Sequence, residues 1–180
     1  IASPDTTVVI PFEQNGGANP EDVVNDVYFG EIASDRLTVE DGVVYFKADA
    51  NSRGKIGIGP EYAGPVLGSY DAANQILTIV HYTRPEGATA YVNSLWKMQE
   101  RPFSGDVVNS YNDGPAGASG EQMGNFYELE TSSPAAALTP GETLTHVHRT
   151  FHFTGPEEDL ADIAREVLGV SLEEIETALE

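Results

Sequence analysis

Two acidic residues alternate along a strand-like segment, Phe126-Tyr127-Glu128-Leu129-Glu130-Thr131. Because side chains of a β-strand alternate between its faces, Glu128 and Glu130 fall on one face and Leu129 falls on the other. Two carboxyl groups this close raise each other's pKa when they are partly buried, which suits a group that transfers protons. The same spacing is also typical of a solvated outer face that carries two acids.

Histidines recur at strand spacing in the segment His146-Val147-His148-Arg149-Thr150-Phe151-His152. Alternation places His146, His148 and His152 on one face of this strand. Imidazoles at positions i and i+2 can share a metal ion, and Gly141 followed by His146-x-His148 is similar to the metal strand of cupins. The spacing differs from the cupin spacing by one residue, and no Glu follows His148 closely. A solvent-facing row of histidines is therefore favoured, and no metal ligand is assigned.

Residues that suit a carbohydrate ligand are spread through the middle of the chain. Pyranose C–H faces pack on aromatic rings, while acidic, amide and basic groups bind hydroxyls or a uronic acid carboxylate. The candidate substrate-binding residues are Arg53, His81, Arg84, Trp96, Asn109, Tyr111, Asn112, Asp113 and Glu128. Each kind has a structural alternative: core packing for the aromatics, surface ion pairs for the arginines, and turn formation or Ca²⁺ binding for the polar cluster at 109–113.

The composition of the chain excludes several kinds of partner and site. With 29 acidic and 9 basic residues the formal net charge is -20, which repels nucleic acid backbones and anionic lipid surfaces. No cysteine is present, so a disulfide, a thiolate metal site and a thiol nucleophile are all excluded. No apolar run approaches the roughly 18 residues that a membrane span requires. Neither nucleic acid nor a membrane is therefore an expected partner.

The elements that must position the candidate residues are short strands separated by turns. Eighteen Gly and eleven Pro are spread along 180 residues, which favours a single, mainly β domain. Strands are predicted at 6–12, 37–39, 43–47, 55–59, 63–69, 75–82, 125–131 and 143–153. Asp41-Gly42 predicts a hairpin because its tight turn needs positive φ, and Asn74 suits a second tight bend. The stretch from Gly105 to Gly124 is predicted to be a long loop.

A helical pattern replaces the strand pattern after residue 155. Three acidic residues suit a first turn, Pro156 fits position N1, and apolar residues recur at helical spacing over 160–168. Gly169 predicts the end of this helix. The sequence Ser171-Leu172-Glu173-Glu174 fits a capping box, which predicts a second short helix. We therefore expect a β-sandwich over residues 1–155 and a helical tail over 156–180.

Several motifs resemble the galactose-mutarotase-like, or aldose 1-epimerase-like, superfamily. Leu129-Glu130-Thr131, then Pro140-Gly141-Glu142 and Thr145-His146, resemble the end of those proteins. Further motifs look like an uncharacterised bacterial branch of the superfamily: Phe29-Gly30, Ser34-Asp35-Arg36-Leu37, Val92-Asn93-Ser94-Leu95-Trp96 and the run from Gly105 to Pro115. The resemblance implies that Glu130 is the general base that removes the anomeric hydroxyl proton. A histidine acts as the acid in that family, and His146 is the second catalytic candidate here.

The resemblance also implies a fold and a partner. The expected fold is a β-sandwich of the supersandwich type, and the chain is expected to be its C-terminal half because the family's enzymes are longer. A missing N-terminal half or a second copy would then complete the sheet. The implied function is carbohydrate recognition on a concave sheet, with aldose-1-epimerase-like proton transfer by Glu130, and the expected partner is a sugar or oligosaccharide. No cofactor is expected.

Two other functions are left open by the sequence. One is a non-catalytic carbohydrate-binding or structural module, and the other is a cupin-like metal-binding protein that uses His146 and His148. The compartment is also open, with a periplasmic or secreted location favoured over a cytoplasmic one.

Overall fold

Two antiparallel β-sheets form the body of the protein, in a computed structural model that describes residues 2–14, 19–116 and 120–180. Among these residues the chain forms ten strands, which are β1 (Thr6–Pro11), β2 (Val24–Asn25), β3 (Leu37–Glu40), β4 (Val43–Lys47), β5 (Gly54–Ile58), β6 (Val66–Asp71), β7 (Ile76–Tyr82), β8 (Val108–Asn112), β9 (Tyr127–Thr131) and β10 (His148–Thr154). The larger sheet has the order β10-β7-β6-β1-β4-β3, and the smaller sheet has the order β2-β5-β8-β9. The fold is mainly β and sandwich-like, as the sequence predicted.

The two sheets pack face to face, and alternation along the strands separates two apolar layers. Val8 of β1 and Phe46 of β4 point into the layer between the sheets, where Ile56 of β5 meets them. Their neighbours Val9 and Tyr45 point the other way, toward the C-terminal helices. The large sheet is therefore buried on both faces, whereas the outer face of the small sheet is left for the residues described below.

Local turn chemistry fixes the hairpin between β3 and β4. Glu40 pairs with Val43, and the two residues between them, Asp41 and Gly42, have φ values of 48° and 85°. Positive φ at both central positions is the geometry that a two-residue hairpin turn requires, so this prediction is confirmed. The predicted bend at Asn74 is also present, with its backbone and side-chain amides bonded to Asp71 at 3.2 and 2.8 Å.

The predicted loop from Gly105 to Gly124 is wrong, because it contains β8, an inner strand of the small sheet. Its sequence Val-Asn-Ser-Tyr-Asn looks like a loop, yet its polar side chains are bonded within the fold. Ser110 Oγ donates to the Glu128 carbonyl at 2.9 Å, and Asn112 bonds the Ala50 N–H and the Ser52 carbonyl, each at 2.9 Å. These hydrogen bonds remove the cost of burying polar groups in a strand.

The last two predicted strands, 125–131 and 143–153, belong to different sheets. β9 lies at the edge of the small sheet and β10 lies at the edge of the large one. The predicted strand from residue 143 begins only at His148, and the strand predicted from Ala63 begins at Val66. The residues that connect β9 to β10 cross from one layer to the other, which the alternation pattern alone does not reveal.

Short helices cover the outer face of the large sheet. They are α1 (Pro20–Val23), α2 (Glu157–Ile163) with its π-helical continuation (Ala164–Leu168), and α3 (Leu172–Thr177), of which α2 and α3 pack against the sheet. Pro156 is the N-cap of α2 and not its first residue, which corrects the prediction. Gly169 ends the π-helical turn with φ 76°, and the capping box of Ser171 and Glu174 is present. In the part of the chain described, no helix is both long and apolar enough to cross a membrane.

Candidate functional site

A row of three side chains crosses the outer face of the small sheet. Lys55 of β5 pairs in register with Tyr111 of β8, which in turn pairs with Glu128 of β9. The neighbours of Glu128 point inward: Leu129 packs in the layer between the sheets, and the Tyr127 hydroxyl bonds Ser69 of the large sheet at 2.8 Å. Alternation therefore directs the whole row away from the core.

Two connecting segments rise above this row and form a cleft of about 470 Å³. The segment after β2 and the segment before β8 supply its walls. The lining residues are Tyr28, Phe29, Arg53, Lys55, Ser94, Leu95, Trp96, Tyr111, Met123 and Glu128. Three apolar side chains of this set are exposed, Phe29 at 54%, Met123 at 70% and Trp96 at 100%. Water-exposed aromatics beside a cavity are unusual for a monomer surface and mark a binding site.

Two basic side chains, Arg53 just before β5 and Lys55 within it, stack against the wall of the cleft. The Arg53 guanidinium lies 5.7 Å from the centre of the Phe29 ring, and Lys55 Nζ lies 5.4 Å from the centre of the Tyr28 ring. These cation–π contacts attach the segment after β2 to the sheet. Arg53 also reaches Asp113 at 3.5 Å, while its buried Nε has no hydrogen-bond partner among the described residues.

The two predicted carboxyl groups lie on this outer face with Lys55 beside them. Lys55 Nζ contacts both oxygens of Glu130, at 2.8 and 3.0 Å. Partial burial, followed by the charge and hydrogen bond of Glu130, raises the pKa of Glu128, and Lys55 opposes that rise. Of the two carboxyls, Glu128 is the one that is favoured to hold a proton and Glu130 is the one held in an ion pair.

Asp113 anchors the floor of the cleft from below. Its Oδ1 accepts a hydrogen bond of 2.6 Å from the Tyr111 hydroxyl, and its Oδ2 accepts one of 2.8 Å from the Gly124 N–H. Burial, and then the Asp113 carboxylate, raise the pKa of Tyr111 to about 12. Burial alone would raise the pKa of Asp113. The hydrogen bond from Tyr111 and those from backbone N–H groups outweigh burial and lower this pKa. The carboxylate therefore stays ionised and fixes the Tyr111 ring and the Met123 loop.

A second buried carboxyl, that of Asp106, holds the Tyr28 wall of the cleft in position. Its Oδ2 accepts hydrogen bonds from the Tyr28 hydroxyl, from Asn25 Nδ2 at 2.9 Å and from Asn109 Nδ2 at 3.5 Å. Burial raises the pKa of Asp106 despite these donors. Its carboxyl lies directly over Gly57, where a side chain would overlap it. Glycine at this position of β5 is thus required for the close approach.

The structure brings together many of the residues predicted from the sequence. Arg53, Trp96, Tyr111 and Glu128 line the cleft. On the same face, Glu130 bonds Lys55, Asp113 bonds Tyr111, and Asn109 donates to the Tyr28 hydroxyl at 3.2 Å. Asn112 does not belong to the site, because its side chain points to the other face and holds the segment between β4 and β5.

Other predicted residues lie away from the cleft. Glu130 and Thr131 are consecutive in β9, so their side chains leave opposite faces. His146 Nε2 bonds Thr131 Oγ1 at 2.9 Å and is therefore separated from Glu130 by the sheet. His81 is exposed on β7 of the large sheet, and Arg84 pairs with Glu13 at 2.8 Å. The structure thus does not place a histidine beside Glu130 as an acid partner.

The histidine row predicted on one strand is split between two partners. Thr131 Oγ1 bonds His146 at 2.9 Å and His148 at 2.8 Å, whereas His152 bonds Thr78 at 3.0 Å. Partial burial and then the charge of His146 lower the pKa of His148. Within residues 2–14, 19–116 and 120–180, no group of three or more His, Asp or Glu side chains is arranged to hold a metal ion.

Comparison with protein families places the chain in one of them. The model of DUF6786, a family of unknown function, matches residues 1–179. The chain belongs to this family. No curated protein and no solved structure matches the chain. The cleft on the small sheet is therefore a candidate site for a family whose activity has not been assigned.

Four residues of the site were missed by the sequence reasoning. Lys55 alternates with Ile56 in a predicted strand, so its place on the face away from the core could have been found from strand spacing. Tyr28 and Phe29 are consecutive aromatics between strands, which is a weak signal for an exposed wall. Asp106 carries no local signal, because its burial depends on Gly57, which is distant in sequence.

Proposed function

We propose that the cleft on the outer face of the small sheet binds a carbohydrate. The observation that carries this proposal is the combination of aromatic and charged side chains in one cleft: Tyr28, Phe29 and Trp96 line it together with Lys55 and Glu128. Sugars present apolar C–H faces to rings and hydroxyl groups to charged and amide side chains, so both kinds of surface are used by one ligand.

Two further features support a ligand at this position. Arg53 Nε is buried and without a hydrogen-bond partner in the described part of the chain, and Arg53 lines the cleft. A buried donor without a partner costs about 1–3 kcal/mol, which a ligand hydroxyl would recover. The floor is also held in place before binding, because Asp113 fixes Tyr111 and Asp106 fixes Tyr28. Such preorganisation reduces the entropy lost on binding.

The proposal is tested by isothermal titration calorimetry with a panel of aldoses, uronic acids and oligosaccharides. Trp96→Ala and Phe29→Ala remove exposed rings from the cleft and should weaken binding at least about tenfold without a change in unfolding temperature. Phe151→Ala is the matched control, since Phe151 is an exposed ring of β10 in the other sheet. Equal affinity in all variants, or no binding to any sugar in the panel, would contradict the proposal.

Proton transfer at the anomeric centre is a second candidate function, favoured by the pair of unlike carboxyls on the outer face of the small sheet, of which Glu128 lines the cleft and Glu130 bonds Lys55. Glu130 would take the proton of the anomeric hydroxyl while protonated Glu128 gives its proton to the ring oxygen, and the bond between C1 and that oxygen breaks. The free aldehyde rotates and the steps reverse, which yields the other anomer and restores both carboxyls. This assignment keeps Glu130 in the role that the galactose-mutarotase resemblance implies and replaces His146 by Glu128.

Proton NMR exchange spectroscopy between α and β anomers tests this second candidate. Acceleration by the wild-type protein that is lost in Glu130→Gln and in Glu128→Gln is the expected result. His146→Gln serves as the control, because His146 lies on the other face of β9 and should leave the exchange rate unchanged. Binding without accelerated exchange would reduce the function to carbohydrate recognition alone.

A further inference from the structure

We propose that the cleft selects sugars that carry a carboxylate, such as hexuronates, over their neutral counterparts. This inference rests on the proposed carbohydrate function and names the class of ligand. It starts from the position of two of the chain's nine basic residues. Arg53, which directly precedes β5, and Lys55 of β5 both line the cleft, in a chain whose net charge of -20 repels anions elsewhere.

Arg53 supplies the donors that a carboxylate requires. Its contact with Asp113 is a single long one of 3.5 Å, and its buried Nε has no partner among the described residues. A guanidinium presents five N–H donors in a planar fork that matches the two oxygens of a carboxylate. Stacking on Phe29 holds this plane in one orientation, with the ring centre 5.7 Å away.

The buried Asp113 carboxylate contacts one Arg53 nitrogen at 3.5 Å, which leaves other donors of the guanidinium for a ligand, and the two carboxyls of β9 compete little for them. Glu130 already pairs with Lys55 through two contacts of 2.8 and 3.0 Å, so these two charges offset each other. Glu128 lines the cleft, and partial burial raises its pKa, which reduces its repulsion of an anion. Arg53 is thus the residue that distinguishes a uronate from a neutral sugar.

Calorimetric titration with glucuronate, galacturonate, their methyl esters, and the matching neutral aldoses tests this inference. The wild-type protein is expected to bind at least one uronate about tenfold or more tightly than its methyl ester and its neutral aldose. Arg53→Met should remove this preference, Arg53→Lys should retain only part of it, and Arg84→Met, a surface arginine outside the cleft, should leave it intact.

The outcomes separate this inference from the proposed function. Equal affinity of the wild-type protein for uronates, esters and neutral aldoses would overturn the carboxylate preference and leave carbohydrate binding standing. No binding to any of the three kinds would overturn both. The esters have the shape of the uronates without the charge, so the comparison does not depend on whether an Arg53 variant folds.

A second inference comes from the edge of the large sheet: we infer that two copies of the chain pair through β10. This strand is seven residues long, it has no strand on its outer side among the described residues, and Phe153 is its one residue that is not exposed. The segments 72–85 and 143–156, which contain β7 and β10, have no Asp or Glu and hold all four histidines. The acidic repulsion that keeps copies apart elsewhere is therefore absent at this edge.

The backbone of β10 is suited to a two-fold pairing. The N–H and C=O of Val147 are directed at Thr83 beside β7, in bonds of 2.9 Å each. Alternation then directs the backbone groups of Thr150 and His152 to the free edge. A two-fold axis at Phe151 would exchange hydrogen bonds between Thr150 of one copy and His152 of the other, and would bring the two Phe151 rings together.

Sedimentation velocity of the whole chain at 0.15 M and 0.5 M salt tests this pairing. We expect a dimer that strengthens with salt, and we expect Thr150→Pro to be monomeric, since Pro removes a donor of the free edge without removing a bond to β7. Thr150→Val keeps the donor and should remain dimeric. A monomeric wild-type protein, or a Thr150→Pro protein that still dimerises, would overturn the inference.

Discussion

Replacing Gly57 by Ala should damage both the stability of the fold and the wall of the cleft. A Cβ at Gly57 would overlap the Asp106 carboxyl and would lie 2.7 Å from Asn109 Nδ2. Neither neighbour can move freely, because Asp106 accepts bonds from Tyr28 and Asn25, and Asn109 donates to the Ile56 carbonyl at 3.2 Å. The carboxyl must therefore leave its position, and the Tyr28 ring loses its support.

The size of the effect follows from the bonds that are lost. Hydrogen bonds to a charged or partly charged carboxyl contribute about 1.5–3 kcal/mol each, and two of them, from Tyr28 and Asn25, depend on the present position of Asp106. Replacing Gly by Ala recovers about 0.4–1 kcal/mol by restricting the unfolded chain. The expected net loss is about 2–5 kcal/mol in the free energy of unfolding, at or above the roughly 1–3 kcal/mol that is typical of an overpacked core position.

Urea denaturation of four proteins measures this loss and its cause. They are the wild type, Gly57→Ala, Asp106→Ala and the double variant. If Asp106 is the group that is displaced, Gly57→Ala should cost less than half as much in the Asp106→Ala background. Gly155→Ala is the matched control, because a Cβ there meets nothing and the cost should stay within about 0.5 kcal/mol. An equal cost of Gly57→Ala in both backgrounds would refute the reasoning.

Three further predictions concern other parts of the molecule. Lys55→Met should raise the pKa of Glu128 further, because Lys55 now opposes the rise caused by burial and by Glu130; carbon-13 NMR of the carboxyl groups against pH measures it, and an unchanged pKa would contradict it. Burial alone would raise the pKa of Asp49, but the Arg36 guanidinium, 2.5 Å from Asp49 Oδ1, lowers this pKa to about 2. Arg36→Met should therefore cost about 1 kcal/mol above pH ~4, and this difference should vanish as the pH falls to about 2; a difference that is independent of pH in acid unfolding would argue against the pair. Leu160→Ala should lower the free energy of unfolding by about 2–5 kcal/mol, since Leu160 is 2% exposed between α2 and the large sheet; a loss below 1 kcal/mol in urea denaturation would contradict that packing.

The features that the sequence predicted well are those set by neighbouring residues. The hairpin at Asp41-Gly42 needs positive φ at two consecutive positions, and the capping box of Ser171 and Glu174 needs only one helical turn. Alternation in β9 likewise put Glu128 and Glu130 on one face, where the structure has them outside the core. In each case the physical cause acts over a few residues, so it is legible in the sequence.

The features that the sequence missed are set by contacts between distant segments. β8 was taken for a loop because the cost of burying Asn109, Ser110 and Asn112 is removed only by partners elsewhere in the fold. The pairing of Glu130 with Lys55 instead of a histidine depends on the order of strands in the small sheet. Strand order is not encoded by spacing within one strand, so the pairing of Glu130 with Lys55 could not be derived.

Titration of the chain's fluorescence with the carbohydrate panel tests the central claim most directly, because Trp96 is the only tryptophan in the sequence. It is fully exposed and lines the cleft, so a ligand bound there should change its emission. The account predicts a saturable change in emission with the same dissociation constant as calorimetry gives. Calorimetric binding that leaves the emission of Trp96 unchanged, or a panel that produces no change at all, would contradict it.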